Sequence, residues 1–180
     1  MESRGNNCAS GGNNSFGSTL HWGPAWNQDP FELTHADYTH TESLADAMHT
    51  YGLVWTEDRI FTYIDDESNV VLDVDTSSQD FWTKGGFSGF NAWEVAGKNA
   101  PFDQEFYLIL NVAVGGTSNY FPDGQCGKTW SNKSMQAAYD FWNTKDAWYP
   151  SWNYPATNQA AMKIDYVRVW QDDGTVAFTQ

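Results

Sequence analysis

Runs of alternating or continuous apolar residues divide the chain into short strand-forming segments. Residues 49–56 and 59–65 are rich in β-branched and aromatic side chains and flank a short polar turn, which predicts a β-hairpin. Residues 106–114 (FYLILNVAV) are apolar on both faces, as expected for a central strand that is covered on both sides. Further strands are predicted at residues 18–22, 70–74, 162–170 and 176–178.

Helical periodicity is weak and confined to residues 44–48 and 135–142, each sufficient for one short helix. Residues 5–18 are small, polar and rich in Gly, and they predict a loop. No repeat or linker divides the 180 residues, a length that suits one domain with a sizeable core. Several strands joined by Gly-rich turns therefore indicate an all-β sandwich.

Composition narrows the range of partners. Aromatic residues make up 17% of the chain, more than a core of this size needs, and surplus Trp and Tyr are typical of clefts and interfaces. Because sugar rings present flat apolar faces, this surplus favours a carbohydrate cleft over a merely aromatic core. The formal net charge of −14 argues against nucleic acid and anionic membrane surfaces as partners, whereas a neutral polysaccharide is compatible with it.

The two cysteines, Cys8 and Cys126, either form a disulfide or remain free thiols, and the sequence does not decide between these states. The triplets beginning at Asn13 and Asn132 match the N-glycosylation pattern. No apolar run is long enough for a membrane-spanning helix. The first residues lack the pattern of a signal peptide and look like the interior of a protein.

The residues themselves leave few kinds of catalytic chemistry. No His/Cys/Asp cluster has zinc-site spacing, no Gly-rich phosphate loop is present, and no Ser lies in a nucleophile elbow. The remaining candidates are carboxylates combined with aromatic side chains that can stack on a sugar, and these residue types are typical of a glycosidase. Composition alone does not identify the carboxylates.

Seven sequence blocks resemble family 16 laminarinases, and they occur in the expected order over nearly the whole chain. The resemblance is strongest to the animal branch, which contains invertebrate β-1,3-glucanases and the related β-1,3-glucan-binding immune proteins. The blocks are MESRGN, STLHWGPAW, HTYGLVWTEDRIFTYIDD, PFDQEFYLILNVAVGG, FPDG, AAYDFWNTKDAWYP and MKIDYVRVW. The resemblance implies a concanavalin A-like jelly-roll β-sandwich, with residues 1–180 as the C-terminal portion of one domain that lacks its N-terminal strands here.

The resemblance also implies a catalytic role for Glu2. The family's catalytic strand reads E-I-D-I-x-E and is usually followed in this branch by S-R-G-N, so Glu2 matches the last carboxylate, the general acid/base. The matching nucleophile and its Asp helper lie upstream of this chain. An odd spacing between carboxylates on one strand requires a bulge to bring both into one cleft.

Other positions match the family's substrate-binding blocks. His21 matches the His of T-x-H-x-G-P, with an expected role of orienting the acid/base or contacting the sugar. Trp22 and Trp26 flank it as candidate stacking platforms, one of which is expected to be core. Arg4 binds sugar hydroxyls or pairs with surface acids, and Asn111 is expected to face the cleft or satisfy a bulge.

Two further positions complete the comparison. Asp165 matches a position that often ligates a structural calcium on the convex side, and it is otherwise an ordinary outward Asp. Val54 stands where the family commonly has Glu, which removes any hydrogen bond that this Glu makes.

The sequence therefore predicts a secreted, monomeric domain for retaining endo-hydrolysis of β-1,3-glucan without an organic cofactor. The alternative is a non-catalytic β-1,3-glucan recognition protein of innate immunity on the same fold. The residue at the upstream nucleophile position would separate the two, since a Glu there indicates an enzyme.

Overall fold

The computed structural model describes residues 1–5 and 11–171, and within them antiparallel strands dominate the regular structure. The strands are β1 (Ser15–Thr19), β2 (His35–Thr39), β3 (Tyr51–Trp55), β4 (Arg59–Ile64) and β5 (Asp66–Asp75). The helices are α1 (Phe81–Lys84), α2 (Ala137–Asn143) and α3 (Lys145–Trp148), with 3-10 turns at Phe31–Thr34 and Tyr149–Trp152. This content confirms a β protein of antiparallel sheets with few helices, while the jelly-roll connectivity stays a prediction.

The first sheet pairs β1 with β2, and Glu2 extends it on the other side of β1. Gly17 lies opposite Asp37 in the β1–β2 register. Across β1, the Glu2 amide donates to the Gly17 carbonyl and the Gly17 amide donates to the Glu2 carbonyl, both at 2.8 Å. This reciprocal pair fixes the chain at Glu2 beside the sheet.

The predicted hairpin is confirmed as β3 and β4, which are joined by a short turn and paired in register. The Thr56 amide donates to the Arg59 carbonyl at 2.9 Å and closes the turn. Gly52 faces Tyr63 across the strands, and a Cβ at Gly52 would lie 2.0 Å from the Tyr63 ring. The missing side chain therefore provides the space in which that ring lies against β3.

Strand β5 is longer than the predicted 70–74 and follows β4 directly through Asp65, whose φ is 63°. The Asp65 carboxylate accepts hydrogen bonds from the Thr50 amide and from His49 Nδ1, each at 2.8 Å. Burial alone would raise the pKa of Asp65, but these two hydrogen bonds hold it below its ordinary value. The turn between the strands is thus tied to the start of the hairpin.

Alternating side chains of the strands form the core, together with Trp22, Leu44 and Phe81 from outside the strands. One buried cluster contains Trp22, Ile60, Leu72, Val74 and Phe81, and a second contains Phe16, Leu44 and Ile64. The hydroxyls of Ser18 and Thr62 lie 2.8 Å apart and join β1 to β4. The sheets therefore pack through a small apolar interior, and this polar contact between them is satisfied.

A buried aromatic contact supports the larger cluster. The ring centroids of Phe81 and Trp22 lie 4.8 Å apart at a steep angle, an edge-to-face arrangement that aromatic pairs prefer. Phe81 begins α1, whose N-cap Asp80 accepts a hydrogen bond from the Thr83 amide at 2.7 Å. The cap holds the helix in the orientation that buries Phe81.

Residues 106–114 do not form the predicted central strand. No described strand pairs with them through backbone hydrogen bonds, although the Phe106 ring meets that of Trp55 on β3, and their apolar side chains, including Leu108 and Leu110, are exposed. Residues 162–170 likewise lack a paired neighbour within the described part of the chain, although the Tyr166 hydroxyl lies 3.1 Å from that of Thr50. A strand needs backbone partners along an edge as well as apolar side chains, and the sequence pattern reports only the second requirement.

Smaller differences have local causes. The predicted strand at 18–22 is displaced toward the N-terminus as β1, and residues 44–48 form turns rather than a helix. Strand β2 escaped prediction because its inward positions are only Ala36 and Tyr38. The helix predicted at 135–142 is present as α2. The strand predicted at 176–178 lies outside the described residues, and no described helix is long and apolar enough to cross a membrane.

Replacing Phe81 with Ala is expected to lower the free energy of unfolding by about 3–5 kcal/mol, because a fully buried ring leaves a cavity. Phe90, which is exposed, is the matched control, and its replacement by Ala is expected to change the free energy by less than about 0.5 kcal/mol. Denaturant unfolding followed by Trp fluorescence measures both. Equal effects of the two substitutions would contradict the assignment of Phe81 to the core.

The exposed apolar side chains of residues 106–114 and 162–170 predict that the isolated 180-residue chain self-associates and binds 1-anilinonaphthalene-8-sulfonate. Replacing Leu108 and Leu110 together with Glu should reduce dye fluorescence by about half or more, since both lie in the exposed segment. Light scattering and dye fluorescence give the measurement. A monodisperse chain that binds no dye would mean that these segments are covered in solution.

Candidate functional site

A cleft of about 230 Å³ opens on the first sheet, where Glu2 meets β1 and β2. Gly17 lies on its floor, between the backbones of Glu2 and Asp37. The polar and aromatic side chains that line the cleft include Glu2, Arg4, His21, His35, Asp37 and Tyr120. Residues far apart in the chain therefore meet at one surface of the sheet.

Glu2 is exposed and lines the cleft, and the reciprocal backbone pair with Gly17 holds it there. The cleft location agrees with the role that the sequence predicts for Glu2, although the role itself stays a prediction. Asp37 is the other carboxylate among the described residues that line the cleft. The cleft therefore offers two carboxylates from two different segments.

Arg4 joins the N-terminal segment to a distant loop. Its Nε donates to the Tyr120 carbonyl at 2.7 Å, and its guanidinium lies 4.4 Å from the centre of the Tyr120 ring. Arg4 thus binds protein and not only solvent, and it positions Tyr120 at the edge of the cleft. The sequence suggested a sugar contact or a surface ion pair for Arg4 and did not anticipate this partner.

The pKa of the Tyr120 phenol is affected by three charged residues of the cleft. Burial raises the pKa of the Tyr120 phenol, Arg4 opposes this rise, and the carboxylates of Glu2 and Asp37 add to it. The phenol therefore stays protonated at neutral pH and can donate a hydrogen bond to a ligand. Both carboxylates act on this one group, which places their charges around the same part of the cleft.

His21 lies on the loop that follows β1, and its ring is held on one side. Its Nδ1 lies 2.7 Å from the Asp29 carboxylate, which also accepts the Trp22 amide at 3.1 Å. The ring packs near Phe31, with centroids 5.6 Å apart. The His21 ring remains exposed enough to meet a ligand, and Asp29 fixes its orientation.

Sequence reasoning missed a polar group on the cleft face of β1 and β2. The Thr19 hydroxyl lies 2.7 Å from His35 Nδ1, and His35 Nε2 lies 3.4 Å from Asp37 Oδ1. The T-H-A-D segment carried the signal, since His and Asp two positions apart on a strand share one face. Because no strand was predicted at β2, the sequence did not indicate that His35 and Asp37 share a face.

The structure separates the two candidate tryptophans. Trp22 is only 4% exposed, and its indole N–H donates to the buried Thr34 hydroxyl at 2.8 Å. Trp22 is therefore the core member of the pair, because its ring faces are covered by protein, and the role as a stacking platform stays a prediction for Trp26. Trp26 is 93% exposed in the loop between His21 and Phe31, two residues that line the cleft.

Asn111 and Asp165 lie outside the cleft. Asn111 is exposed in the unpaired segment 106–114 and is not among the residues that line this cleft, so its role as a substrate contact stays a prediction. Asp165 is also exposed, and no group of three or more His, Cys, Asp or Glu that could hold a metal occurs among the described residues. The structural calcium stays a prediction.

Two further features bear on processing of the chain. Cys126 is disulfide-bonded, which removes the alternative of two free thiols, while Cys8 lies outside the described residues. The Asn132 side chain donates to Asn119 at 3.0 Å and accepts from the nearly buried Lys128 ammonium. The amide of the second glycosylation triplet is therefore already used in a loop contact.

The cleft combines carboxylate acceptors, imidazoles and a protonated phenol, and the loop between its lining residues His21 and Phe31 carries the exposed Trp26. This set can bind the hydroxyls of an uncharged ligand from several directions, while the carboxylates disfavour an anionic one. The fold and the site together define an antiparallel β protein with a cleft suited to a hydroxyl-rich, neutral ligand.

Comparison with known proteins finds invertebrate homologues that are named for binding β-1,3-glucan or Gram-negative bacteria. The chain is 49% identical over 180 residues to a β-1,3-glucan-binding protein of Penaeus monodon. This alignment covers 97% of this chain and 49% of the Penaeus protein. The chain is 29% identical over 161 residues to β-1,3-glucan-binding protein 2 of Manduca sexta (88% of this chain, 32% of that protein). It is also 29% identical over 170 residues to Gram-negative bacteria-binding protein 1 of Drosophila melanogaster (87% and 30%).

The chain thus spans about half the length of the Penaeus protein and about a third of the two insect proteins. No protein-family model matches the chain. No solved structure matches it.

Proposed function

We propose that the chain is part of a β-1,3-glucan recognition protein and binds the glucan in the cleft between Glu2, β1 and β2. The observation that carries this proposal is the 49% identity, over 97% of the chain, to a protein named for β-1,3-glucan binding. Binding, the alternative that the sequence left open, is therefore preferred to hydrolysis as the main function. The finer assignment to a family 16 jelly roll is part of the same proposal.

The chemistry of the cleft supports a neutral polysaccharide as the ligand. Glu2 and Asp37 can accept hydrogen bonds from sugar hydroxyls, and the Tyr120 phenol can donate one. Trp26 offers an exposed flat ring beside the cleft loop. A ligand without charge avoids repulsion from a chain of net charge −14.

The disulfide at Cys126 supports secretion, because disulfides persist in oxidising compartments. Recognition of an extracellular glucan requires the same location. We therefore include a secreted protein in the proposal, and a transfected-cell medium that lacks the full-length protein would contradict it.

Hydrolysis is kept as a second candidate function for one reason, the presence of Glu2 in the cleft. Retaining hydrolysis needs a second carboxylate about 5–5.5 Å from the first, and the family motif places that group upstream of Glu2. In such an enzyme Glu2 would protonate the leaving oxygen and then activate water. The homologues named above are named for binding, and none of these names describes hydrolysis.

Replacing Trp26 with Ala should weaken binding of laminarin, a soluble β-1,3-glucan, about five- to tenfold, because an aromatic stacking contact is lost. The exposure of Trp26 predicts that the substitution leaves the melting temperature unchanged. Fluorescence titration of the dilute chain with laminarin measures the affinity. Lys133→Ala, at an exposed position, is the control and should bind as the wild type does. An unchanged affinity in Trp26→Ala would remove this ring from the site, and a wild-type chain that ignores laminarin would overturn the proposed function.

Replacing Glu2 with Gln tests hydrolysis in a longer protein that carries the predicted upstream carboxylate. If the longer protein hydrolyses laminarin, the substitution should lower the rate about 10²–10⁴-fold, the usual contribution of a general acid/base. A reducing-sugar assay measures the rate, and an unchanged thermal transition serves as the control for folding. A variant with more than about a third of the activity would exclude Glu2 from the mechanism, whereas binding without any turnover in the wild type would leave recognition as the function.

A further inference from the structure

We propose that Asp37 is a second ligand-binding carboxylate, held in place by His35, and that Asp37 and Glu2 bracket one sugar ring across Gly17. The pair would select neutral glucosyl units and reject units that carry a carboxylate, such as glucuronic acid. This inference rests on the proposed function and adds Asp37, which lies in none of the seven sequence blocks.

The strand register places the two carboxylates in one row. Glu2 pairs with Gly17, and Gly17 pairs with Asp37, so the three residues lie side by side on neighbouring backbones. Directly opposite residues of antiparallel neighbours have their side chains on the same face. Two strand spacings separate Glu2 from Asp37, which is roughly 9–10 Å between backbones, so the two carboxylates can flank one sugar ring that lies above the side chains over Gly17.

Gly17 is required for this arrangement because it lies between the two acids. A Cβ at Gly17 would lie 3.0 Å from His35 Cε1 and 3.3 Å from Asp37 Oδ1, tighter than most contacts of a real Cβ. The bare backbone therefore lets both β2 side chains lean over β1 toward Glu2. A larger residue at position 17 would push them away from the cleft.

His35 holds Asp37 from one side and leaves it accessible from the other. Thr19 fixes the His35 ring through Nδ1 at 2.7 Å, and Nε2 on the opposite side of the ring lies 3.4 Å from Asp37 Oδ1. The His35 side chain is 35% exposed and that of Asp37 is 73% exposed. The imidazole is thus the anchored partner, and the carboxylate can still accept hydrogen bonds from a ligand.

The surroundings of Tyr120 give independent support. The charges of Glu2 and Asp37 both act on the Tyr120 phenol, whose pKa is raised mainly by burial and further by these two acids. Glu2, Asp37 and Tyr120 also line one cleft, so two acceptors and one donor surround the same space. Sugar hydroxyls can satisfy all three, whereas a ligand carboxylate would face two like charges.

A purely structural role for Thr19, His35 and Asp37 predicts a different outcome of substitutions in the cleft. Thr19 and His35 are direct cross-strand neighbours, and such a pair contributes only about 0.2–1 kcal/mol to a sheet. If that were all, substitutions at Asp37 would alter stability slightly and binding not at all. Binding measurements on stable variants therefore distinguish the two roles.

The test uses the immobilised 180-residue chain, which prevents self-association, with soluble laminarin as the probe in biolayer interferometry. Asp37→Asn should weaken binding at least about tenfold, as expected for loss of a charged hydrogen-bond acceptor. His35→Ala should weaken it about three- to tenfold, since His35 acts through Asp37. The double variant should bind no more weakly than Asp37→Asn alone, a non-additivity that a structural role of His35 does not produce.

Asp46→Asn is the matched control, because Asp46 is an exposed acid outside the cleft lining and the substitution removes the same charge. It should leave laminarin binding unchanged. A second probe, laminarin oxidised to the uronic acid at C6, should bind the wild type at least about tenfold more weakly than laminarin, and Asp37→Asn should narrow that difference.

The outcomes separate the two proposals. Wild-type binding of laminarin with equal affinities for Asp37→Asn and Asp46→Asn would overturn the role of Asp37 and leave the proposed function intact. Absence of laminarin binding by the wild type would overturn both. If Asp37→Asn loses its thermal transition, His35→Ala and the oxidised probe on the wild type decide the matter, and equal binding of both probes would contradict the inference.

Discussion

The pairing of β1 on both of its edges is the constraint on which the rest of the structure depends. One edge exchanges two backbone hydrogen bonds with Glu2, and the other pairs with β2. Alternation along the strand then buries Phe16 and Ser18 and leaves Gly17 on the cleft floor. If β1 shifted by one residue, the core and cleft faces would exchange, so one register determines both stability and the site.

Aromatic residues perform two separable tasks in this protein. Trp22, Phe81 and Phe87 pack edge to face around the larger buried cluster. Further along the chain Phe141 stacks on Trp148 with ring centroids 4.3 Å apart and anchors the short helices. Only part of the aromatic surplus is therefore available at the surface. Composition gives only the number of aromatic rings, whereas burial determines which of these rings can contact a sugar.

Polar contacts close the loops that sheets and aromatic clusters leave open. Lys128 is nearly buried, and its ammonium bonds the Phe121 carbonyl at 3.0 Å and the Asp123 carboxylate at 2.6 Å. A hydrogen bond from Lys128 lowers the pKa of Asp123 below its ordinary value. A buried cation needs such partners, and this one orders the loop that continues from Tyr120 at the cleft. The cleft edge is thus supported by a polar network as well as by Arg4.

The sequence by itself determined the features that depend on neighbours along the chain. The hairpin of β3 and β4 follows from two apolar strands and a short turn, and α2 follows from helical periodicity. The ordered blocks around Glu2 and His21 indicated a glucan site, and both residues line the cleft. These signals are local, so they survive without knowledge of the fold.

Tertiary structure alone decided the rest. It buried Trp22 and exposed Trp26, although the two lie four positions apart in the same block. It brought Arg4 to Tyr120 across 116 residues, and it left residues 106–114 without a strand partner in the described structure. Asp37 reached the cleft only because β2 pairs with β1 opposite Gly17. Each of these outcomes depends on which backbones lie side by side, and a pattern of polar and apolar positions does not contain that information.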